Sequence, residues 1–180
     1  MNEMILKLAH EAIESRLFNK QITDKYALIN EYPEFTQMGA TFVTLKIDGS
    51  LRGCIGSLIA HRDLYDDLVS NAQNAAFNDP RFKPLSIDEY EKIETEVSIL
   101  TAPEIINYKN VEDLKSKIEV GVDGIILKKD GHQATFLPQV WEELNDFDLF
   151  FAHLCTKAGL ETNGLNSYPQ IYKYQVQKIT

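Results

Sequence analysis

One short stretch of the sequence, residues 51–56, combines residue types that could do chemistry, and it reads LRGCIG. It places the thiol of Cys54 two residues from the guanidinium of Arg52. A thiolate is a good nucleophile, and a neighbouring cation favours the thiolate form. An arginine also binds carboxylate and phosphate groups. The stretch is therefore a candidate catalytic site, with Cys54 as nucleophile and Arg52 as the group that activates the thiol and binds a substrate anion.

Two glycines, Gly53 and Gly56, lie on either side of the thiol and are candidate substrate-binding positions. A glycine inside a strand often marks a bulge, or a place where a ligand or another backbone comes close. A second interpretation is that Cys54 is a small buried hydrophobic residue, a common role of a free cysteine, and that the glycines serve backbone geometry. The sequence leaves both interpretations open.

The elements around this stretch predict a β-hairpin. Residues 41–47 are rich in β-branched and aromatic side chains, and the turn-like sequence Asp48-Gly49-Ser50 leads from them to residues 51–56. Because side chains alternate along a strand, Arg52, Cys54 and Gly56 should lie on one face of it. The pattern therefore predicts that the thiol shares its face with the Arg52 guanidinium.

A second polar segment should lie close to Cys54. Apolar residues recur at helical spacing over residues 64–76, and the helix should stop before Asp79-Pro80, because proline disfavours a helical residue before it. Such a helix returns along the sheet toward the strand that precedes it. In one interpretation Asp79 and Arg81 form a polar lip of the Cys54 site and bind substrate. In the other, an Asp–Arg pair fixes the shape of a helix-terminating loop.

Other kinds of catalytic site find little support. The four histidines are scattered without metal-binding spacing, so we expect no metal site and no cofactor. There is no phosphate-binding glycine loop and no GxSxG sequence. His61 and His132 are the candidate general bases for Cys54.

The second cysteine, Cys155, falls on the apolar side of a predicted helix, so we expect it in the core and slower to alkylate than Cys54.

The sequence resembles the AMMECR-one domain family, whose bacterial and archaeal members are called AmmeMemoRadiSam system protein A. The hexapeptide LRGCIG matches the signature of that family. Five further segments follow in the expected order: AFNDPRFKPL at 76–85, EVSILTAPE at 96–104, VGVDGI at 120–125, FLPQV at 136–140 and LCTKAGL at 154–160. The resemblance therefore covers nearly the whole chain.

The resemblance implies a single domain, residues 1–180, built from two unequal subdomains with a cleft between them and a smaller lobe around residues 104–140. It also implies partners, because the family is named for a system that includes a Memo-like protein and a radical SAM protein. The thiol beside an arginine favours an enzyme or accessory enzyme that acts through Cys54. The alternative is a non-enzymatic module that binds a small ligand or a protein.

Composition narrows the class of protein further. The chain has 180 residues and a formal net charge of −9, without a basic run interleaved with aromatic residues, so nucleic acid is an unexpected partner. No apolar stretch is long enough for a membrane span, and the N-terminus does not resemble a signal peptide. We therefore expect a cytoplasmic protein with two free thiols and no membrane association.

The remaining segments indicate an α+β fold with mostly antiparallel strands and flanking helices. Helices are predicted over residues 4–17 and 140–158, the latter divided at Asn145-Asp146, and Ser86 with Glu89 has the spacing of a capping box. Residues 124–129 and 133–137 should form a second hairpin around Asp130-Gly131. Residues 19–38 are predicted to be a connector with at most a short strand or turn, and residues 168–179 one closing strand.

Overall fold

The protein, described here in a computed structural model, is resolved over residues 1–180. It is an α+β chain with antiparallel sheets, as the sequence predicts. The elements in chain order are α1 (Asn2–Leu17), α2 (Lys25–Glu31), β1 (Met38–Ile47), β2 (Ser50–Gly56), β3 (Arg62–Asp63), α3 (Leu64–Phe77), α4 (Ile87–Tyr90), β4 (Glu94–Leu100), β5 (Glu104–Ile106), α5 (Val111–Lys115), β6 (Gly124–Lys129), β7 (His132–Phe136), α6 (Phe147–Lys157), β8 (Gln170–Tyr174) and β9 (Val176–Ile179).

The chain divides into two compact units. The first comprises Met1–Leu100 and Gln177–Thr180, and the second comprises Thr101–Val176. The second unit includes the range 104–140 that was expected for a smaller lobe, and it continues beyond that range to Val176. No helix of the chain is both long enough and apolar enough to cross a membrane.

The first unit contains a sheet with the strand order β2-β1-β4-β9, in which β3 pairs separately with β1. Helices α1 and α3 cover one face, and the core contains Leu8, Ala12, Val43, Leu68 and Val97, all fully buried. The alternation of buried and partly exposed residues along β1 leaves the other face more polar. Strand β2 forms one edge of this sheet.

The hairpin of β1 and β2 is antiparallel, which confirms the prediction. Asp48 and Gly49 both have positive φ, at 51° and 73°, as a tight two-residue turn between twisted strands requires. The register shifts between Leu45, which pairs with Gly53, and Lys46, which pairs with Leu51. Arg52 is therefore the extra residue of a β-bulge, and the alternation of side chains is broken at that position.

The second unit contains a sheet with the order β5-β8-β6-β7. Its core includes the aromatic side chains of Trp141, Phe150 and Phe151. The hairpin of β6 and β7 is antiparallel, as predicted, and Asp130 and Gly131 have the positive φ of its turn. The predicted break at Asn145-Asp146 is also confirmed, because a 3₁₀ helix, Pro138–Glu142, precedes α6.

Two predictions for connecting segments are wrong. The stretch 19–38 contains helix α2, which Asp24 caps by accepting a hydrogen bond from the N–H of Ala27. Only Leu28 of this helix is buried, so the segment shows no apolar periodicity.

The predicted closing strand is two strands, β8 and β9, which belong to different sheets. A uniformly β-rich composition does not reveal where a chain leaves one sheet for another.

Candidate functional site

Cys54 lies in the edge strand β2 and is partly exposed. Its cross-strand partner on β1 is Thr44, and the Thr44 hydroxyl donates a hydrogen bond of 3.3 Å to the Cys54 sulfur. A hydroxyl donor at this position stabilises a thiolate more than a thiol, because hydrogen bonding to a charged form favours that form. Thr44 was not among the site residues predicted from the sequence. Strand alternation places it on the more polar sheet face, but only the strand register identifies it as the partner of Cys54.

The backbone of Cys54 faces away from β1, toward the open edge of the sheet, and the loop after α3 satisfies it. The Asp79 carboxylate accepts a hydrogen bond of 2.9 Å from the Cys54 N–H. The Arg81 guanidinium donates one of 3.2 Å to the Cys54 carbonyl. The loop therefore contacts Cys54, as predicted. Its two side chains take the place of a neighbouring strand at the edge, where unpaired backbone groups would otherwise remain.

Asp79 and Arg81 also form a tight ion pair, with contacts of 3.0 Å from Nε to Oδ1 and 2.7 Å from Nη2 to Oδ2. Hydrogen bonding from Arg81, with a smaller contribution from the Cys54 N–H, holds the pKa of Asp79 well below its ordinary value. The Asp79 side chain is 2% exposed, whereas that of Arg81 is 52% exposed. A buried carboxylate thus orients an accessible guanidinium.

Arg81 is a cation beside the Cys54 thiol. Hydrogen bonding to Asp79, together with the nearby Cys54 side chain, raises the pKa of Arg81. Its Nη1 donates no hydrogen bond to another residue of the chain, so it can contact an anionic group next to the sulfur. The ion pair shapes the loop, as one interpretation predicts, and the loop also places Arg81 against Cys54.

Arg52 has a different environment from the one that strand alternation predicts. Its guanidinium donates to both carboxylate oxygens of Glu89, at 2.8 and 3.0 Å, and to the Lys83 carbonyl at 2.9 Å. The hydrogen bonds from Arg52, with a smaller contribution from the Ser86 N–H, lower the pKa of Glu89 to about 2. Arg52 makes no hydrogen bond to Cys54. The bulge accounts for the difference, because Arg52 is the extra residue and the two-residue period does not hold across it.

The two glycines fit closely against neighbouring parts of the chain. A side chain at Gly53 would overlap the carbonyl oxygen of Ala75 in α3. A side chain at Gly56 would overlap the ring of Phe42 on β1. Each glycine therefore allows a close approach within the fold, and these contacts account for both residues without a ligand.

The candidate bases have other partners. His61 is exposed, and its Nδ1 lies 3.2 Å from the carbonyl oxygen of Ile59. His132 belongs to the second unit, and its Nδ1 lies 2.9 Å from the carbonyl oxygen of Ala158. The hydrogen bonds of Cys54 thus involve Thr44, Asp79 and Arg81 but no histidine.

Further along the same sheet face, β4 contributes a charged group. Glu96 is the cross-strand partner of Thr44 and accepts contacts from Lys46 at 3.4 Å and Lys178 at 3.0 Å. A row of polar side chains therefore crosses the sheet from Cys54 through Thr44 to Glu96. Only the strand register shows that Glu96 aligns with Thr44 and Cys54.

Cys155 is fully buried in the core of the second unit, as predicted. Burial raises the pKa of its thiol. The structure contains no group of three or more histidine, cysteine or acidic side chains arranged to hold a metal ion.

Comparison with known proteins gives one consistent result. A family model described as AMMECR1 matches residues 6–179. Protein Mbar_A1807 of Methanosarcina barkeri is 44% identical over 157 residues, which cover 86% of this chain and 77% of that protein. A protein of Methanothermobacter thermautotrophicus is 37% identical over 176 residues, covering 96% of this chain and 90% of the relative.

A solved structure agrees with these sequence matches. The crystal structure of the uncharacterized protein PH0010 from Pyrococcus horikoshii superposes with a TM-score of 0.80 and 34% sequence identity. The match covers 98% of this chain and 89% of the other. The relatives named here carry no description of an activity.

Proposed function

The chain belongs to the AMMECR1 family, and from that premise we propose that it is an enzyme or accessory enzyme that acts through the Cys54 thiol. In this proposal Cys54 is the nucleophile, Thr44 donates a hydrogen bond to its sulfur, and Arg81 binds an anionic group of the substrate. Asp79 is a positioning residue, because it orients Arg81 and holds the backbone of Cys54.

One observation carries the proposal: an accessible guanidinium, oriented by a buried carboxylate, lies beside a partly exposed thiol. A structural ion pair at a sheet edge would need only the contacts to Asp79 and to the Cys54 backbone. The Arg81 guanidinium, 3.2 Å from the carbonyl oxygen of the same cysteine, supplies a nearby positive charge, and Thr44 supplies a donor to the sulfur; both favour a thiolate nucleophile. A lone buried cysteine in a strand would have neither.

The rate of alkylation of Cys54 tests this proposal. Replacement of Arg81 by glutamine should slow the reaction with iodoacetamide near pH 7 by roughly three- to fourfold. Loss of the neighbouring positive charge disfavours the thiolate, which is the form of the side chain that reacts. Mass spectrometry against time and pH would measure the rates of Cys54 and Cys155 separately.

The chain offers a matched control in Arg52. The sequence alone predicts that Arg52→Ala slows the Cys54 reaction. In the structure, however, Arg52 pairs with Glu89, and our proposal assigns the activating charge to Arg81. Arg52→Gln should therefore leave the rate within about twofold of the wild type. Arg81→Lys, which keeps the charge, should retain most of the rate even if the ion pair is weakened. The proposal would be refuted if Cys54 were alkylated as slowly as buried Cys155 in the wild type and in every variant.

We further propose, from the family resemblance, that the chain works in the cytoplasm with a Memo-like protein and a radical SAM protein. A reducing compartment would keep both of its cysteines as free thiols. Purified partners from one organism, mixed with the chain and separated by size-exclusion chromatography, would test this. Independent elution of all three proteins over a range of concentrations would contradict a stable complex.

A further inference from the structure

Phe42 of β1 lies on the same face of the first sheet as Cys54. It is two residues from Thr44, whose hydroxyl contacts the Cys54 sulfur, and its own partner on β2 is Gly56. Side chains two residues apart on a strand share a face, and diagonal neighbours on paired strands are within reach of an aromatic side chain. Phe42 is therefore a diagonal neighbour of the thiol.

The ring of Phe42 takes no part in either hydrophobic core, and it is partly exposed. It pairs with no other aromatic ring, and no lysine or arginine lies over it. Its two cross-strand partners are small: Gly56, against which the ring packs, and Ser98 on β4. A ring over a glycine stabilises a strand pair, but that contact leaves part of the ring accessible to another molecule.

Arg81 approaches Cys54 from the opposite side. Its guanidinium donates to the Cys54 carbonyl at the open edge of the sheet, whereas Phe42 belongs to β1, on the inner side of β2. Cys54 therefore lies between a guanidinium and an aromatic ring. The guanidinium can bind an anionic group, because its Nη1 donates no hydrogen bond within the chain. The ring can stack on a planar group.

We propose that the substrate of the Cys54 site carries both an anionic group and a planar unsaturated group, and that Phe42 is the residue that selects the planar group. This inference rests on the proposed function, because it names the substrate class of the same site. The anionic group binds Arg81 and the planar group stacks on Phe42. A molecule that makes both contacts passes over Cys54. An aryl carboxylate is the simplest molecule of this class.

Benzoate and cyclohexanecarboxylate test this inference as a matched pair, because they share charge and ring size but only the benzoate ring is planar. Nuclear magnetic resonance of the full ¹⁵N-labelled chain detects weak binding. We expect benzoate to cause saturable shifts of the backbone amide signals of Phe42, Cys54 and Gly56. Benzoate should bind roughly two- to tenfold more tightly than cyclohexanecarboxylate, as one aromatic contact predicts. Phe42→Leu should abolish this preference, and Phe42→Tyr, which keeps the ring, should retain it.

The control variants separate the two contacts. Arg81→Gln should weaken the binding of both carboxylates alike, because it removes the charge that they share. Phe18→Leu removes an exposed ring after α1, on the side of the sheet away from Cys54, and should leave the preference for benzoate unchanged.

Equal affinity for the two carboxylates in the wild type would overturn the inference, and so would a preference that persists in Phe42→Leu. The wild-type comparison decides the question even if Phe42→Leu does not fold. Alkylation of Cys54 is a separate measurement. A preference for benzoate at an unreactive thiol would refute the nucleophile but retain the recognition of planar anions, whereas a reactive thiol without that preference would refute this inference alone.

Discussion

At the scale of single residues, the two cysteines have opposite surroundings. Cys54 is partly exposed, with the Thr44 hydroxyl donating to its sulfur and Arg81 nearby. Cys155 is fully buried among Phe151, Leu154 and other apolar residues, where burial raises the pKa of its thiol. The Cys54 side chain is partly solvated and accepts a hydrogen bond, whereas a charge at Cys155 would be desolvated. The two cysteines should therefore differ in their rate of alkylation and in the loss of stability that a substitution causes.

Serine substitutions should show the difference in stability between the two positions. Cys155→Ser should lower the free energy of unfolding by about 1–3 kcal/mol, because it buries a polar hydroxyl in place of a thiol packed among apolar side chains. Cys54→Ser should change stability by less than about 1 kcal/mol, because its environment is already polar and partly solvated. Urea denaturation followed by circular dichroism would measure both. An equal loss at both positions would mean that Cys54 is a packed core residue.

At the scale of elements, the loop after α3 completes the edge of the first sheet. Asp79 and Arg81 pair with the N–H and C=O of Cys54, and the N–H of Leu85 donates to the carbonyl of Ala76 near the end of α3. Glu89 belongs to the capping box of α4 and holds Arg52 at the bulge of β2. Two carboxylates, Asp79 of the loop and Glu89 of α4, therefore fix two positions of β2 that are two residues apart.

The Asp79→Asn variant tests this edge contact. An amide of the same shape removes the charge and faces Arg81 with one donor group, so the variant should be less stable by about 1–3 kcal/mol. Backbone hydrogen exchange at Cys54 should become faster, because its N–H then loses a charged acceptor. Asp88→Asn, at an exposed position without an ion pair, should change neither quantity appreciably. Unchanged protection of the Cys54 amide would show that the loop does not hold this strand.

At the scale of the whole molecule, each unit has its own hydrophobic core and its own sheet, and perturbed acidic groups are most evident in the first unit. Hydrogen bonds from Arg81 and Arg52 lower the pKa values of Asp79 and Glu89 below the ordinary values of 3.8 and 4.5. Burial lowers the pKa of His10, whose Nδ1 lies 3.2 Å from the Tyr90 hydroxyl, below its ordinary 6.5. The His10 side chain is half-buried.

These pKa shifts predict that acid destabilises the first unit. In each case the folded state binds fewer protons than the unfolded state, so stability falls as pH falls. The His10 contribution should be lost as pH drops below about 6.5. The contributions of Asp79 and Glu89 are present above their unfolded values and should be lost as pH falls from about 4.5 toward 2.

Urea denaturation between pH 2 and pH 7 would measure this loss, and hydrogen exchange would locate it. Protection should decrease first in residues 1–100. Each variant should flatten the pH dependence of the free energy of unfolding in one pH range: His10→Gln below about 6.5, and Glu89→Gln from about 4.5 toward 2. At pH 7 each variant should be as stable as the wild type or less stable. A pH profile that is unchanged in both variants would assign the acid sensitivity to other groups.

The sequence by itself determined the elements whose signals are local. The turns at Asp48-Gly49 and Asp130-Gly131, the stop of α3 before Pro80 and the capping box of α4 are each specified within a few residues. Gly159, with a φ of +79°, follows the end of α6, a common position for glycine. These features follow from backbone sterics and from side-chain contacts over short separations.

The tertiary structure alone decided which groups meet at the thiol. A one-residue bulge directs Arg52 to Glu89, and the loop 25 residues further on brings Asp79, followed by Arg81, to Cys54. The alignment of Thr44 and Glu96 with Cys54, and the division of the tail between two sheets, depend equally on strand register. Register is set by packing between distant segments, and a shift of one residue turns a side chain to the other face, so local sequence patterns do not determine it.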